Sequence, residues 1–239
     1  MSPRYREACH EEMGVLIPIV LDWWRELPAN QKGLLIGIKV GWESSIGVNA
    51  WYYPGGNELL AQPENQDPTS GLKAEQPPAR GVVQVGYAAV KTAGIRTAGN
   101  ITEANLAEVV HRHLEDLCHE ANQLGVPRDK LFTHAAGWKE GEELYAAAVN
   151  SLSCPGWSFY RHAVDPKGDV GVQAALQASD APFWAAVEWL YQGKDETAAW
   201  KRALTATLAD TRCLYLCIYN WSGIRRNRAA LDAVRQMVR

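Results

Sequence analysis

Glu43 and Glu188 are the residues of this sequence best placed to do chemistry. Each follows a short, nearly continuous apolar run: Leu34-Leu35-Ile36-Gly37-Ile38-Lys39-Val40 leads toward Glu43, and Phe183-Trp184-Ala185-Ala186-Val187 leads into Glu188. A carboxyl at the end of a buried strand is held by a rigid element, and two that face one cleft can divide the work at an acetal carbon. One attacks as nucleophile while the other gives and then takes back a proton. Polar and aromatic side chains gather just past the other runs as well. They are Trp42, Asn49, Trp51, Tyr52 and Tyr53, then His134 and Trp138, then Tyr160, Arg161, His162 and Asp165, and finally Asn220 and Trp221. Aromatic rings in such places can stack on the CH face of a sugar while their polar atoms find partners.

Each of these residues also has a plainer reading. A glutamate at a strand end is most often a solvated group or an ion-pair partner. Trp51, Tyr52 and Tyr53 either line a cleft or pack a loop, and His134 either contacts a ligand or sits hydrogen-bonded at the rim. Arg161, His162 and Asp165 read as an ordinary salt-bridge cluster. His111, His113 and His119 read as helix surface rather than a metal site, because 111 and 113 point to different helix faces and no partner completes a tetrahedral set. Joint placement sets Glu43 and Glu188 apart, and that placement depends on the elements that carry them.

Apolar residues recur at three- and four-residue spacing over 5–27, which predicts a helix, with Pro18 expected to kink it. The run 34–40 predicts a strand buried on both faces. From Ser44 to about Asn100 the chain is polar and rich in Pro, Gly, Asn and Gln, apart from the segment 81–89, a strand or a short helix. So long a connection is usually functional, so 44–100 is expected to be an active-site loop. A second helix covers 102–124 and stops at Gly125. Strands at 131–134, 156–160, 183–188 and 213–219 then alternate with helices at 140–149, 170–177, 197–208 and 224–238. This is the pattern of parallel βαβ units. A doubly wound sheet would want a Gly-rich turn after the first strand, and Gly41-Trp42-Glu43-Ser44 is not one. A (β/α)8 barrel instead explains polar and aromatic residues past every strand, because barrel enzymes work at that face.

The composition is that of a globular chain: 239 residues, 47% hydrophobic and 21% charged. A net charge of −3 and a pI near 6.1 give no electrostatic footprint for nucleic acid or an anionic membrane, and neither is expected as a partner. The five cysteines form no metal-binding spacing and are odd in number, which favours free thiols and a reducing compartment. No apolar stretch reaches the roughly 18 residues of a membrane span, and no secretory core follows Met1. The expected location is cytoplasmic for the chain as it stands, with secretion left open if the natural N-terminus lies upstream.

Numbered back from a last strand that would be the eighth, the five strands are four to eight. Glu43 then follows strand four and Glu188 ends strand seven, across the barrel mouth from each other. This arrangement resembles clan A of the glycoside hydrolases. Val187-Glu188-Trp189 looks like the clan's nucleophile position and Tyr219-Asn220-Trp221 like its strand-eight aromatic platform. The topology covers about 30–239, and only these short stretches match as motifs. The clan usually places Asn before its acid/base Glu; here that position is Trp42, and Asn49 is the substitute from the loop. The resemblance implies a retaining glycosidase acting on a carbohydrate substrate without cofactor or metal. Glu188 would be the nucleophile and Glu43 the acid/base, with carboxyls roughly 5–5.5 Å apart. Trp42, Asn49, Tyr52, Tyr53, His134, Trp138, Tyr160 and Trp221 would contact substrate, with Trp221 as the floor of the cleft. It also implies one partial (β/α)8 TIM-barrel-type domain over 1–239 that lacks its N-terminal strands. Such a chain is expected to expose apolar surface and to pair as a homo-oligomer or with a complementing N-terminal segment. The alternative is a catalytically inactive carbohydrate-binding barrel fragment.

Overall fold

The computed structural model describes residues 2–45, 51–52, 83–95, 102–135 and 142–238. Helix α1, Pro3–Glu26, starts with proline in its first turn, where the missing N–H costs nothing, and runs unbroken through Pro18. It buries Ile17 and Leu21 and leaves Val15, Leu16, Ile19 and Trp23 exposed. A 3-10 turn at Ala29–Leu34 follows, so strand β1 spans Ile38–Ser44 rather than 34–40. The shift has a local cause: Leu34 is spent on closing that turn.

Two short strands, β2 (Trp51–Tyr52) and β3 (Val83–Gln84), pair antiparallel with each other, and β3 leads into α2, Val85–Thr92. Positions 83–89 of the apolar segment 81–89 thus supply both a strand and the start of a helix; 46–50, 53–82 and 96–100 of the expected loop lie outside the described residues. Helix α3, Glu103–Gln123, opens with a reciprocal cap between Thr102 and Asn105. Just beyond it Gly125 takes φ 101°, a conformation that only glycine adopts freely. Then come β4 (Leu131–Ala135), α4 (Glu142–Ala147), β5 (Gly156–Phe159) and α5 (Val170–Ala178). After them are β6 (Trp184–Trp189), α6 (Thr197–Leu208) and β7 (Cys213–Ile218). The expected closing helix divides into α7, Trp221–Ile224, and α8, Arg228–Val238. Asn227 marks the break, its side chain accepting from the Ala230 N–H and donating to Asp195.

β1, β4, β5, β6 and β7 form one parallel sheet in that spatial order. Each successive strand adds to the same edge, so the order never reverses as it does in a doubly wound sheet. The chain is therefore an α/β domain whose sheet is compatible with part of a barrel.

Strand alternation sorts the side chains. Ile38, Val40 and Leu131 pack with α1 and α3, while Ala135, Trp157 and Phe159 join the main core under α3 to α8. Trp157, Trp184, Trp189 and Trp200 fill that core. Buried indole N–H groups need acceptors, and three have them: Trp157 donates to the Tyr145 carbonyl, Trp189 to Ala163 and Thr207, and Trp200 to Asp195. The opposite face holds a small cluster that, among the described residues, includes none from a helix: Phe132, Cys154, Ala181, Ala185 and Val187. Lys39, His134 and Ser158 sit between the helix-facing residues of their strands and belong to that same face.

Candidate functional site

β1 does not end straight. Gly41 has φ 80° and Glu43 φ 40°, and the register with β4 shifts between Val40 and Ser44. A glutamate in the left-handed region is strained by about 1 kcal/mol or more, and such outliers gather at functional sites. The bulge turns Glu43 back toward the sheet. Glu188 lies on β6, a strand buried along its whole length, and is itself only 6% exposed. Tyr160 follows β5 directly; its ψ of −81° takes it out of the strand and into a 3-10 turn, Arg161–Val164.

These three side chains meet. The Tyr160 hydroxyl lies 3.1 Å from Glu43 Oε1 and also bonds Glu188 Oε1. Both carboxylates are thus within one hydrogen-bond length of a single oxygen, about 5–6 Å apart or less. A phenol carries one proton, so it cannot serve two ionised carboxylates fully; the set is satisfied when one carboxyl keeps a proton of its own. The electrostatics agree. Burial raises the Glu188 pKa, the Tyr160 hydrogen bond opposes that rise, and the nearby Glu43 adds to it through its charge, while Lys39 lowers it. Burial and the two carboxylates push the Tyr160 hydroxyl far above the usual phenol range, so it stays a donor.

His134 on β4 is fully buried. Its Nε2 lies 2.7 Å from Ser158 Oγ and 3.9 Å from Glu188 Oε2, and its Nδ1 lies 3.0 Å from Lys39 Nζ. Burial, and then the neighbouring Lys39, lower its pKa to about 3, so the imidazole is neutral. Tyr219 packs edge-on against Tyr160, with centroids 5.8 Å apart.

No protein-family model matches the chain, and no curated protein or solved structure does either. The case for the site therefore rests on its own geometry.

Of the residues singled out in the sequence, the structure brings Glu43, Glu188, Tyr160 and His134 together. Trp42 stands beside them on β1 but turns outward, 81% exposed. Trp221 makes no hydrogen bond or ring contact with the cluster among the described residues. The cause is Asn220, whose left-handed backbone (φ 56°) sends Trp221 into the first turn of α7, half exposed, so the ring of this stretch that touches the cluster is Tyr219. Asn49, Tyr53 and Trp138 lie outside the described residues, as do the side chains of Trp51, Tyr52 and Arg161.

His162 pairs with Asp169 at 3.3 Å, whereas Asp165 accepts from the Gly168 N–H instead. The three helix histidines part company: His111 contacts the Ala147 carbonyl and His113 packs against Tyr5. No group of three metal-binding side chains occurs among the described residues, and no described helix is long and apolar enough to cross a membrane.

Lys39 and Ser158 are the two members of the cluster that sequence reading missed. Their signal was present as single polar residues at alternate positions inside buried strands, 38–40 and 157–159, which amphipathic alternation sends to the helix-free face.

Proposed function

We propose that the chain is a retaining glycoside hydrolase on a (β/α)8 barrel-type architecture, with Glu188 as nucleophile and Glu43 as acid/base. The observation that carries this reading is the convergence of both carboxyls on the Tyr160 hydroxyl. It limits their separation to about 5–6 Å or less, a bound compatible with the spacing that retention uses, and it favours one ionised and one protonated carboxyl, the state from which the reaction starts. Glu188 attacks the anomeric carbon as Glu43 donates its proton to the leaving oxygen, and the glycosidic bond breaks. Glu43, now a carboxylate, takes a proton from water, whose oxygen displaces Glu188 and restores both groups. Tyr160 holds the pair in place, and no cofactor takes part in this scheme. Five parallel strands added in sequential order, with the two glutamates on β1 and β6, support the barrel-type arrangement.

One observation favours exchanged roles: the raised Glu188 carboxyl suits a proton donor. Another favours a carbohydrate-binding chain that is active only with a complementing segment or a second copy, because β1 stands at the sheet edge with Trp42 open to solvent. Turnover of a panel of nitrophenyl glycosides, with the first-formed anomer read by NMR, tests the reaction. Trapping with 2-deoxy-2-fluoro glycosyl fluorides and peptide mass mapping tests the roles. Retention with the label on Glu188 is expected; a label on Glu43 exchanges the roles. Inversion, or neither turnover nor labelling with any sugar, removes the reading.

A further inference from the structure

Four adjacent strands each send one polar side chain to the helix-free face of the sheet: Lys39 from β1, His134 from β4, Ser158 from β5 and Glu188 from β6. The first three are linked in line, Lys39 Nζ to His134 Nδ1 at 3.0 Å and His134 Nε2 to Ser158 Oγ at 2.7 Å, and Ser158 lies opposite Glu188 in the register of β5 and β6. The direction of this row is set at one end. A lysine ammonium has donors and no acceptor, so Nδ1 of His134 must accept. A neutral imidazole carries one proton, which then resides on Nε2 and is donated to Ser158. With its oxygen occupied in this way, the Ser158 hydroxyl proton is free to turn to the Glu188 carboxylate.

We propose that Lys39 is a positioning residue for Glu188, acting through His134 and Ser158 to keep the row pointed at the nucleophile. This assignment rests on the glycosidase reading for its catalytic meaning but not for its geometry. Without Lys39, the buried Nδ1 loses its donor, the ring is free to take its proton there, and Nε2 becomes an acceptor. Ser158 would then donate to His134, its proton would no longer be free to turn to Glu188, and the carboxylate would lose a nearby cation and the Nε2–H that stands 3.9 Å from its Oε2. Among the described residues, the charged and titratable groups around Glu188 are Lys39 and Glu43 from β1, His134 from β4 and Tyr160 after β5. Of these, Lys39 is the cation. Its side chain lies at an exposed position of an edge strand, so its replacement leaves the core intact.

The experiment uses Lys39→Met and Lys39→Arg in the full chain. Ring nitrogen shifts, assigned by loss of signal in His134→Gln, report the tautomer. The Glu188 carboxyl is followed by carbon NMR and assigned with Glu188→Gln. The wild type is expected to show the Nε2–H form. Lys39→Met is expected to gain the Nδ1–H form and to raise the Glu188 titration midpoint by about one pH unit, and Lys39→Arg to recover most of that shift. If turnover is found, the acid limb of kcat/KM moves up by the same amount in Lys39→Met. A wild-type Nδ1–H form, or a wild-type tautomer or Glu188 midpoint in Lys39→Met, overturns the proposal. The NMR readings need no turnover, so an inactive wild type would remove the glycosidase reading and leave the row to be judged separately.

Discussion

Glu188→Gln should stabilise the protein at neutral pH. Two ionised carboxylates about 5 Å apart would repel by roughly 3 kcal/mol at an effective dielectric near 20. At neutral pH the wild type bears that repulsion or, with one carboxyl protonated, the cost of holding the proton. Gln removes that repulsion and the cost of burying a charge, while its amide oxygen still accepts from Tyr160. Against this stand the loss of attraction to Lys39 and the weakening of the Tyr160 bond from a charged to a neutral one, about 1 kcal/mol. The net gain is about 1–2 kcal/mol, or roughly 3–6 °C in Tm for a chain of this size. The pH dependence follows from the direction of the shift. Glu188 titrates higher in the folded chain than an ordinary glutamate, so its contribution in the wild type is fully present below the ordinary glutamate range and is lost as pH rises through the folded value. The advantage of Gln should therefore be absent near pH 4 and grow toward pH 7.5. Thermal or urea unfolding of both proteins at the two pH values is the assay. A variant less stable than wild type at pH 7.5, or a difference independent of pH, would refute the picture of two crowded carboxyls.

Tyr160→Phe removes the bridging hydroxyl, so Glu188 should titrate still higher by NMR and the variant should lose about 1–3 kcal/mol above neutral pH in urea unfolding. Gly125→Ala should cost about 1–2 kcal/mol in the same assay, because alanine pays for the positive φ after α3. Trp157→Ala should cost about 3–5 kcal/mol by opening a cavity at the centre of the core, far more than Trp42→Ala on the surface.

The βα alternation was legible because buried parallel strands and amphipathic helices leave different periods; the five strands follow from those periods, and their order from the polar residues past the strand ends and the missing Gly-rich turn. Glu188 was legible for the same reason, as the polar end of an apolar strand. β1 was misplaced because its apolar residues begin in a 3-10 turn, and nothing in the residue types of 34–37 distinguishes such a turn from a strand. The bulge that turns Glu43 inward is a backbone event; Gly41 hints at it, but the left-handed angle of Glu43 comes from tertiary pairing with β4. The place of Trp221 at the start of α7 was not legible, because a motif of three residues says nothing about the φ of its middle one, Asn220. Lys39 and Ser158 passed as interruptions of apolar runs, although alternation alone sends them to the face where the carboxylates meet.

The strand order has a consequence for how the site comes into being. His134 and Ser158 are 24 residues apart in sequence, and Tyr160 and Glu188 are 28 apart. Lys39 reaches His134 across 95 residues and Glu43 reaches Tyr160 across 117. Closing the longer loops costs roughly 1 kcal/mol more chain entropy, so β4 to β6 can assemble locally while β1 docks late. Half of the carboxylate pair thus arrives with the last piece and leaves with the first. Native-state hydrogen exchange should find the amides of 38–40 opening before those of 184–188. Mild destabilisation would then dismantle the site while most of the sheet is still folded.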